Sequence, residues 1–314
     1  MPKSTTLPSR PHDIRPSTAR SAGGKAPRPV LKWAGGKTHL LPRILERLPA
    51  SIDTYYEPFI GGGAVFFALA ADKRFSRAVL SDKNQDLIDV YRALRRGAKG
   101  VIQLLEHYEY DKDTYYAARA LKPANLDLNE RAARLIYLNR TGYNGLYRVN
   151  RSGQFNVPFG RYVNPTICDP ERLRAASRAL RGVSLEVADF SELCRDARAG
   201  DAVYFDPPYV PLSHTASFTA YHREAFGEEA HKRLAECFDA LRSRGVCSVL
   251  SNSNTPLTRS LFDDFPLDLV PVPRRINSKK DGRGDVMEIL VTTGKTRKPP
   301  KRTALRKSRK KRVS

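Results

Sequence analysis

The chain is short of apolar runs, cysteine and acid. Its 314 residues contain no uninterrupted apolar stretch of membrane-spanning length, and the N-terminus lacks the apolar core of a secretory signal. A membrane-spanning or secreted protein is therefore not expected, and a cytoplasmic one is. Four cysteines occur, Cys168, Cys194, Cys237 and Cys247, without C-x-x-C spacing, and the six histidines keep no ligand spacing to them. Neither a disulfide framework nor a metal site follows from such a set. Acid is the other shortage, with 33 Asp and Glu against 55 Lys and Arg, a formal charge of +22.

That shortage is uneven. Residues 1 to 29 carry +5 and residues 295 to 314 carry +11 with no acid at all, leaving +6 for the rest. Both ends are rich in Pro, Ser, Thr and basic residues and poor in core-forming ones, the composition of disordered polyelectrolyte arms that suit phosphate backbones. From Arg131 to Arg181 stand ten Arg and no Lys, opposed only by Asp169 and Glu171. Arg offers a planar fork to phosphates and guanine edges, so this stretch favours nucleic acid.

From residue 54 onward strand-like and helix-like segments alternate, the pattern of an α/β sheet with helices on its faces. Strands are expected at 54–60, 77–82, 184–189, 201–206, 246–252, 267–273 and 286–293, and helices at 63–73, 84–97 and about 224–243. Between them lies the loop NRTGYNGLYRVNRSGQFNVPFGRY (139–162). One sheet is thus split by an Arg-rich insert.

Three stretches carry chemistry. EPFIGGG (57–63) runs from a strand through three glycines into a helix, where backbone approaches a ligand closely or merely turns tightly. Asp82 ends the next strand 21 residues after Gly61, the distance at which an acid binds ribose hydroxyls. The dinucleotide pattern G-x-G-x-x-G fails at Phe66, which disfavours a nicotinamide oxidoreductase. LKWAGGKTHLL (31–41) fails as a phosphate-binding P-loop because Leu31 stands where glycine is required. It still offers an indole and an ammonium, unless Trp33 is simply core. The third stretch, DPPY (206–209), follows the apolar run 202–205. Two prolines end the strand and fix the chain's exit, holding a carboxylate and an aromatic ring in place.

The order LKWAGGK, EPFIGGG, SDKN, the 139–162 loop, DPPY, SFTAYH and SNSNTPLT resembles the Dam-type DNA adenine-N6 methyltransferases that act at GATC, over about residues 29–293. The resemblance implies a Rossmann-like α/β fold using S-adenosylmethionine, with an inserted, mainly helical DNA-recognition domain. The chain then divides into a basic arm (1–28), a catalytic domain (29–84 and 171–294), a recognition domain (85–170) and a basic tail (295–314). The catalytic residues implied are Asp206, Pro207 and Tyr209. The cofactor residues are Trp33, Lys37, Phe59, Gly61, Gly63, Asp82, Asp189, Phe190 and Asp206, although Phe190 equally suits core packing. DNA would be read or gripped by Lys32, Tyr143, Asn144, Leu146, Arg148, Pro158, Arg161 and Tyr162. The implied partner is double-stranded DNA, the adenine leaving the duplex to be reached, with no metal, in a monomer associated with the nucleoid.

Other readings stay open on residues alone: a methyltransferase of this fold acting on another DNA sequence, RNA or a protein glutamine, or a non-catalytic DNA-binding protein. Residues 211–222 suit a loop that orders over DNA, and 274–284 suit either a phosphate clamp or a solvated hairpin.

Overall fold

The computed structural model describes residues 25–210, 226–273 and 285–294. Most of the basic arm, the tail and the loops 211–222 and 274–284 lie outside the described residues.

Seven strands form one sheet: β1 (Ile52–Glu57), β2 (Phe75–Ser81), β3 (Ser184–Glu186), β4 (Ala202–Phe205), β5 (Cys247–Ser253), β6 (Leu267–Pro273) and β7 (Asp285–Thr292). Their order is β3-β2-β1-β4-β5-β7-β6. Neighbours from β3 to β5 pair in parallel, and β7 runs antiparallel to both β5 and β6. Strands β1 and β4 are central, and every residue of β4 is buried, the continuous apolar pattern of a sheet covered on both faces. The chain winds outward from β1 to β3, then returns to β4 and winds the other way. The crevice at the carboxyl ends of β1 and β4 is therefore the topological switch point, where sheets of this Rossmann-like class hold ligands.

Ten α-helices among the described residues surround the sheet. They are α1 (Leu41–Arg47), α2 (Ala64–Ala71), α3 (Gln85–Arg96), α4 (Ala98–Leu105), α5 (Lys112–Ala120), α6 (Leu128–Thr141), α7 (Pro170–Ala179), α8 (Phe190–Leu193), α9 (Glu228–Ser243) and α10 (Pro256–Leu261). Local chemistry sets their ends. Asn84 caps α3 by accepting from the Leu87 N–H, and Asp127 with Glu130 forms a reciprocal capping box on α6. Among the described residues no helix is long and apolar enough to cross a membrane.

Two apolar cores result. One joins β1 and β2 to α1–α7, so the helices of 85–170 share packing with the sheet, through residues such as Leu80, Leu87, Tyr91 and Leu138. The other joins Tyr56, Val203 and Phe205 to Phe190, Phe238 and Phe262 of α8–α10 and its edges. Strand 184–189 is shorter than expected because Asp189 turns the chain, accepting from the Ser191 N–H to cap α8.

The Arg-rich stretch divides in space. Arg131 pairs with Asp89, Arg134 is buried against the carbonyls of Ala118 and Arg119, and Arg140 donates to the Val30 carbonyl. These three brace the fold. Their count in the sequence therefore overstates the nucleic-acid surface, whereas Arg148 and Arg161 are exposed.

Candidate active site

The exit of β4 meets the loop before α1 at the switch point. The ammonium of Lys37 lies 2.8 Å from Asp206 Oδ1 and 4.3 Å from the centre of the Tyr209 ring, and also donates to the Gly35 carbonyl at 2.7 Å. Only 6% of the Lys37 side chain and 22% of the Asp206 side chain face solvent, so the pair attracts strongly but stays reachable.

Strands β5 and β7 hold this acidic corner from behind. Ser251 Oγ donates to Asp206 Oδ1 (3.2 Å) and meets the Tyr204 hydroxyl (2.8 Å). The Val210 amide donates to Asn252 Oδ1 (3.4 Å), and Ser253 Oγ donates to the Val210 carbonyl (2.8 Å). Tyr209 donates its hydroxyl to Glu288 Oε2 at 2.8 Å. All four residues of DPPY therefore lie between anchored positions, as the two prolines require of a fixed exit.

Burial shifts the acids here. Asp206 is pushed above the ordinary carboxylate range by burial, while the Lys37 ammonium and the Ser251 hydroxyl pull it back. Glu57, at the end of β1, is pushed up to about 8 by burial and by the charge of Asp206, against the hydrogen bond donated by the Tyr55 hydroxyl (2.8 Å). Of the two neighbouring carboxyls, both raised by burial, Glu57 is the one held up to about 8, while Asp206 has the Lys37 ammonium and the Ser251 hydroxyl to favour its ionised form.

Beside the corner lies the glycine turn. Gly61 (φ 46°) and Gly63 (φ 71°) adopt left-handed backbone. At Gly61 a Cβ would stand 2.9 Å from Trp33 Cδ1, so the indole packs where only glycine fits. Trp33 in turn stacks on Tyr147 (5.6 Å between centroids), whose hydroxyl donates to Asp86 (2.9 Å). Asp82 accepts from the amides of Gly61 (3.2 Å) and Asn84 (3.0 Å), and Tyr91 donates to the Gly61 carbonyl (2.7 Å). Burial raises Asp82 while those amides lower it, with a net upward shift. Trp33, Lys37, Gly61, Gly63, Asp82 and Asp206 thus gather around one crevice. Phe59 is half-buried against Phe190 (5.7 Å), while Phe190 itself is enclosed in the second core, which gives it a packing role. Asp189 pairs with Arg233 (2.7 Å) and Lys83 (3.3 Å); against the cost of burial, these partners and Ser191 hold it below the ordinary range.

The 139–162 loop adjoins the same crevice through Asn139. This fully buried amide accepts from the Lys32 N–H (2.7 Å) and donates to the carbonyls of Lys32 (2.7 Å) and Gly145 (2.8 Å). It ties the loop before α1 to the turn at Tyr143–Gly145, where Asn144 (φ 54°) and Gly145 (φ 62°) are both left-handed. Tyr143 is 52% exposed, and Asn144 and Pro158 are exposed. Leu146 packs partly on the core. Arg148 reaches along a short hairpin to Asn156, Nε to Oδ1 at 2.7 Å and a second nitrogen to the carbonyl at 3.0 Å. Tyr162 is braced rather than free: its hydroxyl donates to the Gly142 carbonyl (3.0 Å), its amide to Tyr110 (2.7 Å), and the Lys32 ammonium lies 4.2 Å over its ring.

Four residues at or beside the crevice escape a reading of the sequence: Glu57, Asn139, Ser251 and Glu288. Glu57 carries a usable signal, an acid ending an apolar strand just as Asp206 does. Among the described residues no three His, Cys, Asp or Glu cluster as a metal site would need, and the four cysteines are free thiols.

Comparison with known proteins accords with this geometry. Residues 33–274 match the family model described as the D12 class N6 adenine-specific DNA methyltransferases. The chain is 43% identical over 273 residues to the type II methyltransferase M1.LlaDCHI of Lactococcus lactis subsp. cremoris, covering 84% of this chain and 95% of that protein. It is 40% identical to the type II methyltransferase M.MjaIII of Methanocaldococcus jannaschii (84% and 98% covered) and 39% identical to the DNA adenine methylase of Escherichia coli K12 (85% and 95%). The chain belongs to the D12 class of N6 adenine-specific DNA methyltransferases, and such membership implies S-adenosylmethionine as the methyl donor.

Proposed function

We propose that this family member methylates adenine N6 within double-stranded GATC, extruding the base to reach it. The observation that carries the chemistry is the corner at Asp206, a half-buried carboxylate whose polar contacts among the described residues, from Lys37 and Ser251, both fall on Oδ1. Adenine's exocyclic nitrogen is a poor nucleophile because its lone pair is delocalised into the ring. With one N6 hydrogen donated to Asp206 and the other to the Pro207 carbonyl, the nitrogen moves toward tetrahedral geometry and its lone pair is freed. The prolines and the β5 anchors fix those acceptors beforehand, so little reorganisation remains during reaction. Tyr209 offers a face to the extruded base, its hydroxyl tethered to Glu288.

The donor set suits S-adenosylmethionine. Lys37 matches an amino-acid carboxylate, Asp82 a ribose diol, and the Gly61–Gly63 turn with Trp33 a close-lying ligand; Phe59 and Asp189 belong to the adenosine side, with Phe190 packed behind Phe59. When bound, that cofactor supplies an electrophilic sulfonium methyl.

Residues 85–170 form the recognition region in this reading. Arg148 presents a fork suited to guanine O6 and N7. Leu146 and Pro158 face base edges, Tyr143 and Asn144 occupy the space left by the extruded base, Lys32 reaches an outer base, and Arg161 meets a phosphate, while Tyr162, its hydroxyl spent on Gly142 and its amide on Tyr110, holds the turn beside it. The test compares labelled methyl incorporation into a GATC duplex, a duplex with the same bases permuted, RNA, and a glutamine peptide. Incorporation confined to the GATC duplex is expected; equal labelling of the permuted duplex removes the sequence assignment.

A further inference from the structure

The polar contacts behind Asp206 form a chain whose direction is set when Asp206 is ionised. An ionised carboxylate only accepts, so Ser251 must spend its one proton on Asp206 Oδ1 (3.2 Å), and its oxygen must then accept from the Tyr204 hydroxyl (2.8 Å). Ser251 is fully buried and Tyr204 is 1% exposed, so neither can exchange its partner for water. Successive hydrogen bonds of one sense in a dry interior strengthen one another. Lys37 also meets Oδ1, and among the described residues no contact to Oδ2 occurs beside these two.

We propose that Ser251, backed by Tyr204, is a positioning residue that commits Oδ1 of Asp206 to the protein and turns Oδ2 toward the substrate amine. The inference rests on the reading of Asp206 as the amine's acceptor. Ser251 acts through the groups around it, chiefly Asp206, and its hydroxyl also faces that of Tyr209. Without its proton the carboxylate is held by Lys37 alone and can turn about its terminal bond. The carboxylate also loses a donor that favours ionisation, so it keeps its proton to higher pH. The other charged or titratable groups facing Asp206 are Lys37, Glu57, Glu288, Tyr204 and Tyr209, all unchanged in a Ser251 variant.

The experiment measures kcat, both KM values and the pH profile for the wild type, Ser251→Ala, Ser251→Thr, Tyr204→Phe and Asp206→Ala. Ser251→Ala is expected to lose up to about 100-fold in kcat, the scale of a misplaced reacting group. KM for cofactor and DNA should stay within a few-fold, and the acid limb should move to higher pH. Ser251→Thr restores both, and Tyr204→Phe gives a smaller fall in the same direction. Wild-type kcat and acid limb in Ser251→Ala overturn the inference, as does a change confined to KM. Should Ser251→Ala fail to fold, Tyr204→Phe decides: lowered kcat with a raised limb supports the relay, and wild-type behaviour overturns it. Full activity of Asp206→Ala would defeat the underlying reading, whereas an inactive Asp206→Ala beside a wild-type-like Ser251→Ala defeats this inference alone.

Discussion

At the exit of β4 the side chains themselves are pinned: Asp206 by Lys37 and Ser251, Tyr209 by Glu288, with Ser251 and Lys37 withdrawn from solvent. In the 139–162 loop the backbone is pinned instead, by Asn139, Tyr110 and Tyr162, while Tyr143 and Asn144 stand in solvent and Arg148, also exposed, rests on Asn156 of its own hairpin. The difference follows from what each region has to do. A reacting nitrogen needs acceptors already aimed, and a small displacement costs rate. A reader of DNA needs its scaffold placed, but its side chains must still find base edges and phosphates that arrive with the duplex.

Substitutions in the two regions should therefore fail differently. Asp206→Ala is the largest case: transfer should fall by at least about 1,000-fold, as when a preorganised transition-state contact is lost, with DNA and cofactor still bound. Equilibrium titration beside single-turnover kinetics checks this, and full turnover would erase the contrast.

A pH effect marks the corner next. Unfolded Glu57 ionises above its ordinary 4.5, whereas the folded protein holds the proton to about 8. Stability is thus greatest below pH 4.5 as far as this group is concerned, and is lost as pH rises toward 8, by an amount on the order of a few kcal/mol. Glu57→Gln should flatten that part of the profile in denaturant melts across this window; parallel curves for the two proteins would contradict it.

Asn139→Ala attacks the loop's scaffold. Three hydrogen bonds disappear, leaving the buried Gly145 carbonyl and the part-buried backbone groups of Lys32 without that partner, so a loss of about 2 kcal/mol of stability is expected. Site discrimination should weaken with it, and an unchanged melt would show that other contacts hold the loop. Arg148→Ala is smallest: stability unchanged, about 1 to 3 kcal/mol lost at one guanine. Equal loss on every duplex would mean that Arg148 grips phosphate only.

The same contrast governs what could be read from the residues alone. Sheet, glycine turn and DPPY exit were legible because periodicity and proline act within a few positions. Ser251 and Glu288 were not, since their partners Asp206 and Tyr209 lie 45 and 79 residues away, and a serine inside VCSVLSN looks like any small strand residue. The Arg count misled in part, because composition does not distinguish Arg134, spent on helix carbonyls, from Arg148, left outside. Phe190 suited two roles on sequence until its enclosure among Phe59 and Phe226 became visible.

The acidic corner is tested most directly with a GATC duplex whose adenine carries nitrogen-15 at the exocyclic position. After reaction with the purified protein and S-adenosylmethionine, nucleoside mass spectrometry should find the new methyl on the labelled nitrogen. A methyl on cytosine, on a ring nitrogen, or on no base at all would contradict the account.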